Sequence, residues 1–401
     1  MSLIESAVSR IILDSRGNAT VEVEIITENG YGMVAAPSGA STGEHEVQAF
    51  PEGGAEVSLK AFEDDVVPQL IGMDATEQKV IDALLHQIDG TPNFSRIGGN
   101  LAVATSLAVA RAAATAQGVP LYRYVGGSLV DTIPKPLGNL IGGGRHAIGG
   151  TDIQEFLVIS TSGNAQKNVF GNAKAHKMVG QALKERLPGT AIGRGDEGAW
   201  VAALSNEDAL ALLVEVCDKV SSEVGFNIEP ALDVAASEFF VNGRYRYKDK
   251  ELTPDQQVEF MADLVDRHGL HILEDPLDQN DFEGYARLTE LVGNKTLVVG
   301  DDLYVTNKER LAKGIEMGAT NAILIKPNQI GTLTDTRDTV ELARKYGFET
   351  VISHRSAETP DDTIAHLGVA FGSHAIKTGA VGGERIAKLN ELIRIEEDME
   401  V

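Results

Sequence analysis

One cysteine stands in 401 residues, Cys217, within Leu-Leu-Val-Glu-Val-Cys-Asp-Lys-Val. A disulfide within the chain is therefore excluded. The surroundings read as a helix carrying a small buried apolar residue, not a nucleophile. No stretch of 18 or more apolar residues occurs, so no membrane-spanning helix is expected. The first residues lack the pattern of a signal peptide and enter a strand-like segment almost at once, which makes a cytoplasmic location the expectation. Basic residues are also in short supply: Lys and Arg total 35 against 59 Asp and Glu, a net charge of −24. A field of that sign opposes binding to nucleic acid or anionic membrane and favours solubility; it would also suit a salt-rich cytoplasm. An anionic substrate would have to be met by local lysine, arginine or metal. Low-complexity segments are absent.

What is present is an ordinary globular composition, 43% hydrophobic and 23% charged. The length suits two or three domains. Residues 1–30 alternate as two strands joined by the turn cluster Asp14-Ser15-Arg16-Gly17-Asn18. A third strand, Gly32–Ala36, runs into the small-residue loop Pro37-Ser38-Gly39-Ala40-Ser41-Thr42-Gly43. Helical patterns cover about Ala55–Leu70, Ala75–Ile88 and Asn100–Gln117. These features predict an N-terminal α+β domain over residues 1–125 and a second domain over 134–401. Thr306-x-x-Glu309 and Thr359-x-x-Asp362 resemble capping boxes, and Gly318 and Gly347 suit helix ends.

In the second half, six short apolar runs each end on a chemically active residue: Asp233, Glu274, Asp301, Lys326, His354-Arg355 and Lys377. They recur at roughly the length of one strand-plus-helix unit. Strands of a parallel barrel are buried on both faces and read as continuous apolar runs. The chemistry of such a barrel lies where its strands end. The fold class is therefore α/β, with these residues on one rim.

Asp233, Glu274 and Asp301 either are solvated or capping acids, or share a site. Three carboxylates in a small dry site need a counter-charge, and an all-oxygen set favours Mg²⁺ or Mn²⁺ over Zn²⁺. Lys326 and Lys377 either reach to the rim or join the acids. Two neighbouring lysines would depress each other's pKa, and Lys326 could then act as a base. His354-Arg355-Ser356 suits a phosphate or carboxylate, or is a surface turn. If Glu155 and Glu197 are neighbours, the pKa of one is pushed up, making it a general acid. Gly142-Gly143-Gly144 lacks the lysine of a phosphate loop.

The ordered set of motifs resembles the enolase family over nearly the whole chain. The segments that carry the likeness are Asp14–Asn18, Ser38–Gly43, Gln154-Glu155-Phe156, Gly195-Asp196-Glu197-Gly198, Leu232–Phe239, Glu274-Asp275-Pro276, Asp301-Asp302-Leu303, Ser353-His354-Arg355-Ser356 and Lys377–Ala380. The resemblance implies a modified (β/α)₈ (TIM-type) barrel behind a smaller N-terminal α+β domain, in a homodimer or larger assembly. It implies reversible dehydration of 2-phosphoglycerate to phosphoenolpyruvate in glycolysis and gluconeogenesis. On that pattern Asp233, Glu274 and Asp301 hold one Mg²⁺. Ser41 joins a second Mg²⁺ that binds with substrate. Lys326 takes the C2 proton, and Glu197, with Glu155 beside it, protonates the departing hydroxyl. Lys377 meets the substrate carboxylate, Arg355 and Ser356 the phosphate. His146 and His354 complete the pocket, supported by Gln154.

Some positions depart from that pattern. Ala19 stands for a proline, Glu46-Val47-Gln48-Ala49-Phe50-Pro51 replaces a Leu-Arg-Asp-like segment, Trp200 follows Gly198-Ala199, and Ala357 stands for a glycine. The 44–54 change is expected to affect loop closure and affinity for the second metal. Two alternatives are a related dehydratase or racemase acting on another carboxylate, and a non-catalytic binding protein on the same fold. Ser41, Glu197 and Arg355-Ser356 argue against the first. The intact metal and base set argues against the second.

Overall fold

Strands β1 (Ile4–Leu13), β2 (Ala19–Thr27) and β3 (Tyr31–Ala35) form an antiparallel meander. The computed structural model describes residues 2–39, 42–147 and 149–400. The first turn closes because the Asp14 carboxylate accepts the backbone N–H groups of Arg16 and Asn18, at 2.8 and 2.9 Å. Alternation along β2 buries Val21, Val23 and Ile25, and helix Gly99–Ala116 covers this sheet. The approach is close because both sides are small. A Cβ at Gly32 would lie 2.0 Å from the Ala108 carbonyl oxygen. The helical pattern expected to Leu70 is continuous from Ala55, but opens into a π-turn at Phe62–Val66.

Eight further strands close into a ring. They are β4 (Lys135–Gly142), β5 (Glu155–Ser160), β6 (Ile228–Asp233), β7 (Ile272–Glu274), β8 (Leu297–Gly300), β9 (Ala322–Ile325), β10 (Glu349–Ser353) and β11 (Ala375–Lys377). Each pairs with the next, and β11 pairs with β4. Only β5 runs against its neighbours; the other contacts are parallel. The strand–helix rhythm expected from about residue 228 is present from β6 onward.

The ring is filled by Leu137, Leu157, Ile159, Ala231, Ile272, Val299, Ala322, Leu324, Val351 and Ala375, all fully buried. Side chains alternate along a strand, so the residue two further on faces the same way. That rule carries Asp233, Glu274, Asp301, Lys326, Arg355 and Lys377 to the mouth of the ring. Because β5 is reversed, its first residue, Glu155, arrives at the same end. Register then lines up Glu155 with Asp233 and Asp233 with Glu274.

Two helix starts differ from expectation. Helix Lys308–Met317 is capped by Asn307, whose side chain accepts from Glu309 and Arg310. The Thr306 hydroxyl is occupied elsewhere, donating to Gln329 at 2.8 Å. Helix Thr363–Ala370 begins after Pro360, with Asp362 at its N-cap position. Gly318 ends its helix in the left-handed conformation, as expected.

Candidate active site

Eleven of the expected residues line one cavity at the barrel mouth: His146, Gln154, Glu155, Glu197, Asp233, Asp301, Lys326, His354, Arg355, Ser356 and Lys377. Glu274 reaches the cavity's groups through Lys377. Ser41 lies outside the described residues.

Lys377 is the hub. Its ammonium donates to Asp233 Oδ2 at 2.8 Å and to both Glu274 oxygens at 2.9 Å, and lies 3.3 Å from Glu155 Oε1. One cation thus faces three buried carboxylates. Burial and the Asp233 charge push Glu274 well up; burial and the Glu197 charge push Glu155 up to about 7, the Lys377 charge opposing in both cases. The site is short of positive charge, and its all-oxygen donors suit a hard divalent cation.

Lys326 pairs with Asp301, whose other oxygen accepts from Gln329 at 2.9 Å. The expected depression of the lysine pKa values is not found. Burial does work in that direction, but Asp301 outweighs it at Lys326, and Asp233, Glu155 and Glu274 outweigh it at Lys377. In each case a carboxylate is in direct contact with the ammonium group. Asp301 itself is held low, by Lys326 against the opposing effect of burial.

Glu155 and Glu197 are neighbours, with His146 Nδ1 3.3 Å from the first and 3.8 Å from the second. Their acidities do separate, but the raised member is Glu155. Burial would raise Glu197 as well, yet the charges around it hold it well below the usual range. His354 Nε2 lies 3.3 Å from Glu197 Oε1. Arg385, which has only donors, donates to His354 Nδ1 at 2.8 Å. Nδ1 is therefore the acceptor, and a neutral ring carries its proton on Nε2, toward Glu197. Burial, with Arg385 assisting against the Glu197 charge, lowers the His354 pKa to about 4. The ring is neutral at pH 7 and turns its Nε2 side toward Glu197. His354, His146 and Arg385, in that order, favour the ionised form of Glu197.

Several functional residues carried no local signal. Asn139 donates to Glu197 Oε2 at 3.1 Å from within β4. Arg385, fully buried on helix Gly383–Glu400, also donates to the Arg355 and Ser356 carbonyls, both at 2.6 Å. Asp275 accepts from the Asp301 and Asp302 N–H groups at 2.9 and 2.8 Å and so fixes the turn that carries Asp301. Oxygens of Asp275, Asp301 and Asp302 lie within 4.8 Å of one another. Adjacency in Glu274-Asp275-Pro276 and Asp301-Asp302 could have flagged the two extra acids. Glu46, in the segment that departs from the family pattern, grips Arg355 with both oxygens at 3.0 Å. The altered segment is thereby tied to the barrel mouth. Trp200 stacks on His176 at 5.2 Å, behind the Glu197 turn.

Comparison with known proteins agrees with this geometry. The family model described as the enolase C-terminal TIM barrel domain matches residues 130–401, and the enolase N-terminal domain matches 4–125. The protein named enolase from Methanothermobacter thermautotrophicus is 52% identical over 404 residues, covering 99% of this chain and 97% of its own. Enolase of Natronomonas pharaonis is 52% identical over 400 residues, covering 99% of each chain. Enolase of Methanosphaera stadtmanae is 49% identical, covering 99% of this chain and 98% of its own. With matches along its full length to both domain models, the chain belongs to the enolase family.

Proposed function

We propose that the barrel-mouth residues perform the family's reaction, with Lys326 as the base and the Glu197–Glu155 pair supplying the acid. The chain is a lyase of glycolysis: it removes water from 2-phospho-D-glycerate to give phosphoenolpyruvate, and catalyses the reverse in gluconeogenesis. The observation that carries the assignment of roles is their placement. Lys326 follows β9 and Glu155 opens β5, and these strands stand four places apart in the ring of eight, so the two groups face each other across the mouth. A substrate lying between them offers its C2 proton to one side and its C3 hydroxyl to the other.

Lys326, backed by Asp301, takes the C2 proton. Glu197 protonates the departing hydroxyl. Its neighbour Glu155 holds a proton near neutrality, and His146 lies between the two. Neutral His354 presents Nε2–H on the side of Glu197, 3.3 Å away, and helps to orient it. Lys377 meets the substrate carboxylate, Arg355 and Ser356 the phosphate, and Gln154 and His146 line the pocket. A fork held by Glu46 and Asn328 presets the Arg355 plane.

The family uses a divalent metal, and the surplus of carboxylates at Lys377 fits one. Asp233, Glu274 and Asp301 would hold a first Mg²⁺, and Ser41 would join a second that arrives with substrate. When bound, such ions stabilise the negative charge that develops as a proton is removed beside a carboxylate.

The rest of the reading is organisational. The chain divides into domains at 1–125 and 134–401, works in the cytoplasm, and forms a homodimer or larger assembly. Exposed Val8 on β1 and Met33 on β3, both in line with Glu24 of β2 on the face turned away from helix Gly99–Ala116, support a covered face there. No helix among the described residues is long and apolar enough to cross a membrane.

The test is to add 2-phosphoglycerate and Mg²⁺ to purified protein and follow the ultraviolet absorbance of the enol double bond. A rise that EDTA abolishes is expected. Folded protein that gives no rise at either low or high salt would overturn the reading.

A further inference from the structure

The mouth residues sit at one end of the ring. At the opposite end, where catalysis is not expected, two histidines meet. His271 immediately precedes β7 and His374 immediately precedes β11. Those strands are four places apart in the ring, so they lie on opposite sides of the barrel. The two imidazoles nevertheless touch across the floor. Their centroids are 5.5 Å apart with planes at 28°, and Nε2 lies 3.2 Å from Nε2.

The other nitrogen of each ring faces a carboxylate. His271 Nδ1 is 3.1 Å from Glu229 Oε2, and His374 Nδ1 is 3.7 Å from Glu349 Oε2. At His271 the nearby Glu229 favours the proton on Nδ1 and leaves Nε2 with its lone pair, whereas Glu349 stands beyond hydrogen-bond distance of His374. The arrangement at His271 is one that orients histidines that bind metal. Two neutral rings with their protons on Nδ1 aim two lone pairs at each other; the contact is then relieved either by one ring moving its proton to Nε2 and donating it, or by a cation between the two nitrogens. Two nitrogens bound about 2.0–2.1 Å from one zinc ion, at angles between a right angle and tetrahedral, stand about 2.9–3.4 Å apart. The observed separation falls inside that range.

The surroundings are consistent with neutral ligands. Burial lowers the pKa of both rings, assisted by Lys135 and opposed at His271 by Glu229; His374 falls to about 4. Lys135 is the cation that works against a bound ion. Glu229 and Glu349 work for one. The side chains of His271 and His374 remain 24% and 20% exposed, so solvent reaches the rings.

We propose that His271 and His374 form a binding site for a borderline-soft divalent cation, of which zinc is the best match, on the barrel floor, separate from the catalytic mouth. The ion takes both Nε2 atoms, and water completes its coordination. Glu229 orients the His271 ring. Bound there, it ties together two strands from opposite sides of the ring.

The experiment uses full-length protein saturated with Mg²⁺ and 2-phosphoglycerate, so that both metal sites at the mouth are filled. Zn²⁺ is titrated by calorimetry. Co²⁺ is titrated separately by its visible ligand-field absorption, with His271→Gln, His374→Gln and Glu229→Gln alongside. One additional equivalent is expected in the parent. Each histidine variant should lose it, and Glu229→Gln should bind about 10–100-fold more weakly. Turnover with 2-phosphoglycerate should stay within about twofold of the parent in all three. No additional equivalent in the parent, or one that survives in a folded histidine variant, overturns the proposal and leaves the pair sharing only a proton. If both histidine variants fail to fold, Glu229→Gln, which removes no ring, decides: unchanged affinity overturns the proposal.

Discussion

Replacing Arg385 by methionine should break the site without removing any group that touches substrate. The guanidinium is fully buried and makes three short donations, to the carbonyls of Arg355 and Ser356 at 2.6 Å and to His354 Nδ1 at 2.8 Å. Methionine fills much of the volume but donates nothing. Two carbonyls and one ring nitrogen then lose their partner, each at about 1–3 kcal/mol. The sum is about 3–9 kcal/mol; removing one member of a buried charged pair typically costs ~3–5 kcal/mol, and the loss of stability should fall in that lower part of the range. The catalytic signature is separate. His354 titrates at about 4 because burial and Arg385 together disfavour its charge. Without the guanidinium, burial remains, but the Glu197 carboxylate at 3.3 Å is no longer opposed. The pKa should climb toward the ordinary ~6.5 of histidine. The acid limb of kcat should therefore move upward, with activity lost between about pH 5 and 6.5, where the parent is flat. Thermal unfolding and a kcat profile from pH 4.5 to 8 measure the two effects, and Arg385→Lys should restore part of each. A folded Arg385→Met protein whose acid limb coincides with that of the parent would refute the assignment of the His354 proton to Nε2 by Arg385.

Lys326→Ala should lower kcat by about 10²–10⁴-fold, the usual value of a positioned base, and should abolish solvent exchange of the C2 proton while circular dichroism stays unchanged. Gly32→Ala places a Cβ 2.0 Å from the Ala108 carbonyl oxygen, so the sheet and helix Gly99–Ala116 must part, at a cost of about 1–3 kcal/mol in chemical denaturation. Glu391 is held at about 2, chiefly by its bond to His366. A depressed carboxylate contributes stability above its unfolded value of ~4.3 that is lost as pH falls toward 2. After discounting for solvent screening, about 1 kcal/mol should disappear across that window in acid melts, and His366→Gln should reduce the dependence, Arg394 keeping the remainder. With a net charge of −24, the melting temperature should rise as NaCl goes from about 0.01 to 0.5 M and screens the self-repulsion; a flat or falling curve would refute that.

What could be read from the chain, and what could not, divides along the difference between periodicity and contact. A strand buried on both faces must be apolar until it leaves the barrel, so a run such as Ala322–Ile325 announces both a strand and the importance of Lys326 after it. Asp233, Glu274, Asp301 and Lys377 are legible for the same reason. Direction is not periodic, however. Nothing in Glu155–Ser160 says that β5 runs backward, and only that reversal brings Glu155, the first residue of its strand, to the same mouth as residues that end theirs. Nor does a set of charges contain its distances. The two lysines share a rim, so mutual depression is a fair inference from sequence, but a carboxylate in direct contact with each reverses the sign. Local competition misplaces the caps in the same way. Thr306 has the right chemistry to start a helix, yet its hydroxyl bonds Gln329, whose amide holds Asp301, so the cap passes to Asn307. Arg385 is the extreme case. It sits on a final helix whose pattern is that of any surface helix, and its importance comes from acceptors far back in the chain, at Asp196, His354, Arg355 and Ser356. Barrel-strand residues are set by the fold and show in the sequence. Residues that set the protonation of other residues are chosen by contacts across the chain, and only the assembled site displays them.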